Sequence, residues 1–519
     1  MKKLLASLAF SVVSLAAMGQ TTFRNPIIPG YHPDPSITRV GDYYYLINSS
    51  FEYFPGVPMF KSKDLINWQQ IGDVLTRESQ IPLKGASSWL GIYAPTIRYN
   101  DGTWYMITTN VGNGGNFMVT ASQPEGPWSE PIWLKQQGID PSLFFEDGKC
   151  YMCSNPEDAI WVCEIDPKTG QQLSESKKVW QGDGGRYPEG PHIYKKDGYY
   201  YLLISEGGTE LAHSLTIARS KNIYGPYESN PANPLLTNCS RLGQTKQIQG
   251  TGHGDLLQAK DGSWWMVFLA YRNFGGSYHH LGRETYLAPV EWKEGEWPVV
   301  NNGMPADTLM TANSSFLGKD TSRFSMDVHG IDPAAPGWLY IQNPITSNYK
   351  FDKSSVTLSP HGTLDKNERP TFLGRRQSAA KMTVETEIAL PKGGAKNMDC
   401  KAGLTVYQIN DGRFDLYVDK DGVHVGGRIK SLEVNNNGTD RDLPANAKKV
   451  ALRISSDGNM YNFFCSTDGG DWQELSRQNC SLVSTEVVGG FTGVILGMFT
   501  EAESTGKAVK FTRFDYTEK

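Results

Sequence analysis

The chain has 519 residues, 39% of them hydrophobic, with 50 Lys and Arg against 55 Asp and Glu for a formal net charge of −5. A mildly acidic chain with no run of basic residues excludes nucleic acid and anionic membrane as partners. Its length exceeds one comfortable core, so two domains are expected.

Residues 1–19, MKKLLASLAFSVVSLAAMG, read as a cleavable export signal. Lys2 and Lys3 form the basic head, Leu4 to Ala17 the apolar stretch, and Ala17-Met18-Gly19 the small-x-small cleavage site. The apolar stretch is too short for a membrane anchor. The mature chain from Gln20 is therefore expected to be soluble, in the periplasm or secreted.

Next comes GYHPDPSI, residues 30–37, which sets Asp34 between two prolines just before an apolar run. The same arrangement returns at GIDPSLFF and RYPEGPHI, because residues 20–305 carry an internal repeat. Five times a Gly turn opens an aromatic, strand-like run: GDYYYLIN, DGTWYMIT, DGKCYMCS, DGYYYLLI and DGSWWMVF. Asp-Gly and Gly-Asp are hairpin signals, and the residues after them favour strand. Seven to nine residues upstream of each turn glycine lie Asp34-Pro-Ser-Ile, Ala94-Pro-Thr-Ile, Asp140-Pro-Ser-Leu, Glu189-Gly-Pro-His-Ile and His253-Gly-Asp-Leu. Each unit thus begins with a short strand, turns at Gly and returns through an aromatic strand. Radial repetition of such units predicts a five-bladed β-propeller.

In a propeller the first strand of each blade lines the axis, so Asp34, Asp140 and Glu189 should converge in one pocket with His253 beside them. A single Asp-Pro is ordinarily a turn residue; three carboxylates and a histidine at matching phases point to a site. The same topology puts the ends of the second strands on the pocket rim: Ser50, Phe51, Glu52, Asn110, Glu206 and Arg272. Glu206 is a rival carboxylate one layer from the axis, expected to shape the pocket. The seven cysteines, an odd number, do not form a disulfide framework. Cys150 and Cys153 sit in a strand-like run, where positions three apart face opposite ways, so they read as buried thiols and not as a metal pair.

The repeat stops after Gly295–Gly303, and the polar stretch 306–325 reads as an irregular linker. From 326 to 519 come short alternating strands, among them KAGLTVYQI, RFDLYVD and KVALRISS, separated by DGR, KDG, SDG and DGG turns. Such strands predict a β-sandwich of the jelly-roll kind, so the fold class is all-β throughout.

A carboxylate cluster in an aromatic-rich pocket, without a nucleophilic Ser or Cys signature, suits glycoside hydrolysis. That reaction needs a protonated acid at the leaving oxygen and an ionised carboxylate across the sugar ring. A third carboxylate nearby raises the acid's pKa by like-charge repulsion.

HPDPSI, GIDPSLFF, RYPEGPHIY, EGGT, TGHGDL and LGRETYLAPVEW resemble glycoside hydrolase family 43, over nearly the whole mature chain. FLGRRQ and the strands after it resemble the concanavalin A-like domain of that family's β-xylosidases and α-L-arabinofuranosidases. The resemblance implies an inverting mechanism in which Asp34 is the general base, Glu189 the general acid and Asp140 the group that modulates and orients the acid. It implies that Arg283 binds sugar hydroxyls, a sheet ion pair being the plainer alternative. His253 would order the pocket floor, near which a structural calcium ion often sits; no cofactor is required. Phe51 would wall the first sugar subsite or simply pack the core. Phe491 would bring the second domain over the pocket and enforce exo-action, or again be core. Tyr93 stands where many xylosidases of the family have Trp, which tilts the expectation toward arabinofuranose. The implied substrate is a plant-polysaccharide oligosaccharide carrying terminal arabinofuranose or xylose. Two other readings are a retaining fructosidase on a similar propeller and a non-catalytic carbohydrate-binding protein. The first expects an Asn-Asp-Pro-Asn setting in place of His-Pro-Asp-Pro-Ser, and the second the loss of a carboxylate.

Overall fold

The Asp-Gly turns of the repeat set the architecture. At Asp101-Gly102, Asp147-Gly148 and Asp197-Gly198 both residues take positive φ, between 48° and 78°. Two-residue hairpins need that conformation to match the twist of their strands, and Asp and Gly tolerate it best. The turns join Thr96–Asn100 to Thr103–Val111, Ser142–Glu146 to Lys149–Ser154, and Glu189–Lys196 to Tyr199–Glu206. Gly41-Asp42 joins Ser36–Val40 to Tyr43–Ile47, and a turn at Gly262 joins Ile248–Gln258 to Trp264–Arg272.

The computed structural model describes residues 20–314, 317–318, 326–434, 441–502 and 506–519; the expected export signal lies outside them. Each hairpin is the inner half of an antiparallel sheet, and the sheets follow one another in chain order. Their first strands touch in succession and the last returns to the first, the ring of a β-propeller. Apolar and aromatic side chains fill the gaps between neighbouring sheets, as where Ile47 and Met59 of the first meet Ile97, Trp104 and Phe117 of the second.

The axis is polar. Asp255 is fully buried and accepts from Ser36 Oγ (2.8 Å), Arg98 Nη1 (2.9 Å) and Tyr194 Oη (2.6 Å), which come from three other sheets. A carboxylate so placed needs several donors to offset the loss of water. Burial alone would raise it, but Arg98, His192 and these bonds outweigh burial and hold it below its ordinary range.

The stretch 306–325, expected to be irregular, contains the strand Leu309–Asn313, paired with Gln20–Arg24 at the start of the described chain. Its residues alternate exposed and buried, with Met310 and Ala312 inward. That period-two pattern is what a one-sided strand requires.

Beyond it, two sheets face one another as a β-sandwich. One runs Thr371–Arg376, Ile495–Glu501, Lys401–Ile409, Gly412–Asp419, Gly422–Ile429; the other centres on Val509–Glu518, Lys381–Ala389, Lys449–Asp457 and Met460–Thr467. Leu404, Val406 and Leu416 of the first share one core with Val384, Ile388 and Leu452 of the second. Residues 326–519 are tied to the propeller by a separate two-stranded sheet, Tyr53–Phe54 paired with Tyr340–Ile341. Cys150, Cys153 and Cys163 are free buried thiols.

Candidate active site

Asp34 and Asp140 sit immediately before the first strands of their sheets, Glu189 opens the first strand of its own, and His253 lies within Ile248–Gln258. Asp34, Asp140 and His253 all hold left-handed φ, 53°, 52° and 42°. That conformation turns each side chain off the strand path toward the axis mouth, and residues so held cluster at functional sites. Glu189 is aimed by a register break between Glu189 and His192, and Gly190 within it has φ +60°. A Cβ on Gly190 would come within 2.9 Å of the His253 ring, so glycine is required there twice over.

These residues line one cavity of about 360 Å³, together with Phe51, Tyr93, Arg283 and Phe491. All eight side chains singled out in the sequence therefore meet. His253 Nδ1 lies 3.9 Å from both Asp34 Oδ1 and Asp140 Oδ2. Ser49 Oγ donates to Asp34 Oδ2 (2.6 Å) and Arg283 Nη1 to Oδ1 (3.2 Å). Asp140 Oδ2 accepts from the Gly190 N–H (3.2 Å).

The electrostatics separate the carboxylates. Burial would raise Asp34, but Arg283, His253 and the Ser49 bond prevail and hold it below its ordinary value. Burial pushes Asp140 well up, and the charges of Glu189 and Asp34 push it further. Burial likewise lowers His253, which is therefore a neutral imidazole near pH 7. The cavity thus pairs an ionised carboxylate, Asp34 beside Arg283, with a proton-retaining one, Asp140.

The remaining wall is aromatic. Phe51 packs against Tyr93 at 5.0 Å and Phe491 at 5.7 Å between ring centres. Tyr93 Oη donates to the Trp89 carbonyl (2.6 Å), and Trp89 stands edge-on to Phe491 at 4.8 Å. Phe491 belongs to the sandwich. Its N–H donates to the Ser88 carbonyl (3.0 Å) and its carbonyl accepts from Arg283 Nη2 (3.1 Å). The second domain therefore contributes both ring and backbone to the cavity.

Of the residues expected on the rim, only Phe51 lines the cavity. Neighbouring strand residues point to opposite sides. Glu52 turns inward and is fully buried, Asn110 donates to the Pro82 carbonyl (3.0 Å), and Arg272 forms a twin bond with Glu284 (2.7 Å each). Glu206 accepts from Gly185 N–H (2.9 Å) and Thr216 Oγ1 (2.6 Å), fixing the loop that leads to Tyr187. Trp89, Tyr187 and Thr209 also line the cavity, and sequence reasoning did not assign them. Trp89 and Tyr187 flank the GIYAP and PEG segments, and that proximity was the available signal.

Near His253 the carboxylates of Asp34 and Asp140 accept hydrogen bonds from Ser49, Arg283 and Gly190. Among the described residues no three His, Cys, Asp or Glu side chains are grouped to hold a metal.

Comparisons with known proteins agree with this two-domain fold. Residues 23–298 match the model for glycosyl hydrolases family 43, and residues 332–517 that for the beta xylosidase C-terminal concanavalin A-like domain. The non-reducing end alpha-L-arabinofuranosidase BoGH43B of Bacteroides ovatus is 41% identical, over 99% of this chain and 97% of its own. A xylosidase/arabinosidase of Butyrivibrio fibrisolvens is 38% identical, over 93% and 96%. The solved structure described as Bacteroides ovatus xyloglucan PUL GH43B superposes with a TM-score of 0.89 at 38% identity, covering 96% of this chain and 100% of that one. With both domains matched in order and relatives aligned end to end, the chain belongs to glycosyl hydrolases family 43.

Proposed function

We propose that this protein is an inverting, exo-acting glycosidase that releases terminal α-L-arabinofuranose or β-D-xylose from arabinoxylan or its oligosaccharides. We read the five sheets of residues 20–305 as five blades of a catalytic propeller and 326–519 as the domain that closes one side. We further propose that the chain is exported to the periplasm or beyond, on the strength of residues 1–19.

The observation that carries the reading is the opposed charge state within one cavity. Asp34, held ionised by Arg283 and Ser49, draws a proton from water, whose oxygen attacks the anomeric carbon. The glycosidic C–O bond breaks, its electron pair stays on the leaving oxygen, and Glu189 supplies the proton that oxygen takes. Asp140, bonded to the backbone beside Glu189, orients the acid. Phe51, Tyr93 and Phe491 exclude water from the sugar face. Phe491 ends the cavity on one side, which supports action on terminal residues. A relative named for non-reducing-end arabinofuranose supports arabinose as the first sugar to test.

The test is a proton-NMR time course on arabinoxylan- and xyloglucan-derived oligosaccharides, run beside Glu189→Ala. Free pentose appearing first as the inverted anomer, and nearly absent with the variant, is expected. A retained anomer would overturn Asp34 as base, and binding without release would point to a carbohydrate-binding protein.

A further inference from the structure

Behind the cavity wall lies a histidine that the reaction as described leaves unused. His213, 1% exposed, precedes the strand Ser214–Ser220. Its Nε2 is 3.5 Å from Oε1 of Glu189, and neither ring nitrogen has a hydrogen-bond partner among the described residues. A buried polar group left idle costs about 1–3 kcal/mol. An apolar side chain of similar size would fill the same space without that cost.

The surroundings hold this ring in place. A Cβ at Gly252 would fall 2.1 Å from the imidazole, so only glycine there admits the ring. The His213 N–H donates to the Glu210 carbonyl (3.0 Å), and Gly207, at φ +97°, would meet the Ala212 carbonyl within 2.2 Å if it carried a side chain. Two glycines and a turn thus fix an imidazole that points at one carboxylate oxygen. The Glu189 side chain itself is 19% exposed and faces the cavity, free to close the remaining gap.

We propose that His213 is a positioning residue for Glu189. Its Nε2–H closes on Oε1 when substrate fills the cavity, which leaves Oε2 directed at the glycosidic oxygen. When the proton passes from Glu189 to the departing sugar, the same N–H stabilises the carboxylate left behind. This rests on the reading of Glu189 as proton donor.

The experiment compares two substrates with the same pentose: an oligosaccharide, whose leaving oxygen needs a proton, and a dinitrophenyl glycoside, whose leaving group does not. His213→Leu should lower kcat on the oligosaccharide by about a hundredfold, with KM little changed, and leave the dinitrophenyl substrate within about threefold of the parent. His213→Gln, which keeps an N–H donor at a similar reach, should restore most of the loss. It also serves as the reporter if the Leu variant does not fold. Equal losses on both substrates, or no loss on either, would overturn the proposal. Glu189→Ala is measured alongside. If it loses both substrates equally, the proton-donor reading fails and the proposal with it. If it spares the dinitrophenyl glycoside and His213→Leu does not, only the His213 assignment fails.

Discussion

Arg283 and Asp34, 249 positions apart in sequence, meet at 3.2 Å with both side chains almost fully buried. The same guanidinium donates to Thr209 Oγ1 (3.0 Å) and to the Phe491 carbonyl (3.1 Å). One residue therefore fixes the charge of the carboxylate read as the base and ties the sandwich to the cavity.

Arg283→Met should expose that coupling in the pH profile. Burial alone raises Asp34, and Arg283 is the largest of the groups that oppose it. Activity needs Asp34 ionised, so the acid limb of kcat/KM lies at its pKa and should move to higher pH when the guanidinium is removed. The rate at the optimum should fall by at least about a hundredfold. An unmoved limb would mean that Asp34 is not the group titrating there.

Glu52 predicts an opposite dependence, of stability. It is fully buried behind Phe51, neither oxygen has a hydrogen-bond partner among the described residues, and burial raises it from 4.5 to about 8. Between those values the unfolded chain releases this proton and the folded one keeps it, so rising pH favours unfolding across that window. Glu52→Gln removes the slope. Parent and variant should melt alike near pH 4.5, and the variant should gain on the order of 3 kcal/mol by pH 7. Thermal melts at both pH values decide it; a constant difference would show that Glu52 is not the titrating group.

The axial pair makes a third case. Arg98→Met strands Asp255 in the centre of the ring, where it loses its only guanidinium among the described residues. Breaking one half of a buried pair costs about 3–5 kcal/mol, so the melting temperature should drop steeply. Arg98→Met with Asp255→Leu should recover part of that loss, because no charge is then left unpaired. A double variant no better than the single would place the cost in packing instead.

Much of this site was legible because the repeat is. Asp34, Asp140 and Glu189 could be aligned by their distance from the turn glycines, and a radial fold converts equal phase into nearness. His213 lies outside that logic, at the head of a third strand, and reaches Glu189 only because Gly252 lacks a side chain. Asp255 follows His253 by two residues and was visible as a residue, but its axial partners come from three other sheets. The rim was misjudged where alternation decides direction: Phe51 enters the cavity and Glu52 turns away. Phe491 was found through its motif, whereas its carbonyl bond to Arg283 depends on how the two domains dock.

The pairing of Gln20–Arg24 with Leu309–Asn313 bears on how such a chain is made. The first strand has no partner until roughly three hundred residues have been synthesised, about 15–60 s at ribosomal rates of 5–20 residues per second. Contacts this distant in sequence are slow to form. This two-stranded sheet therefore forms late in synthesis, and until then Gln20–Arg24 stays unpaired. Strand exchange between neighbouring copies competes with this pairing for as long as the strand stays unpaired.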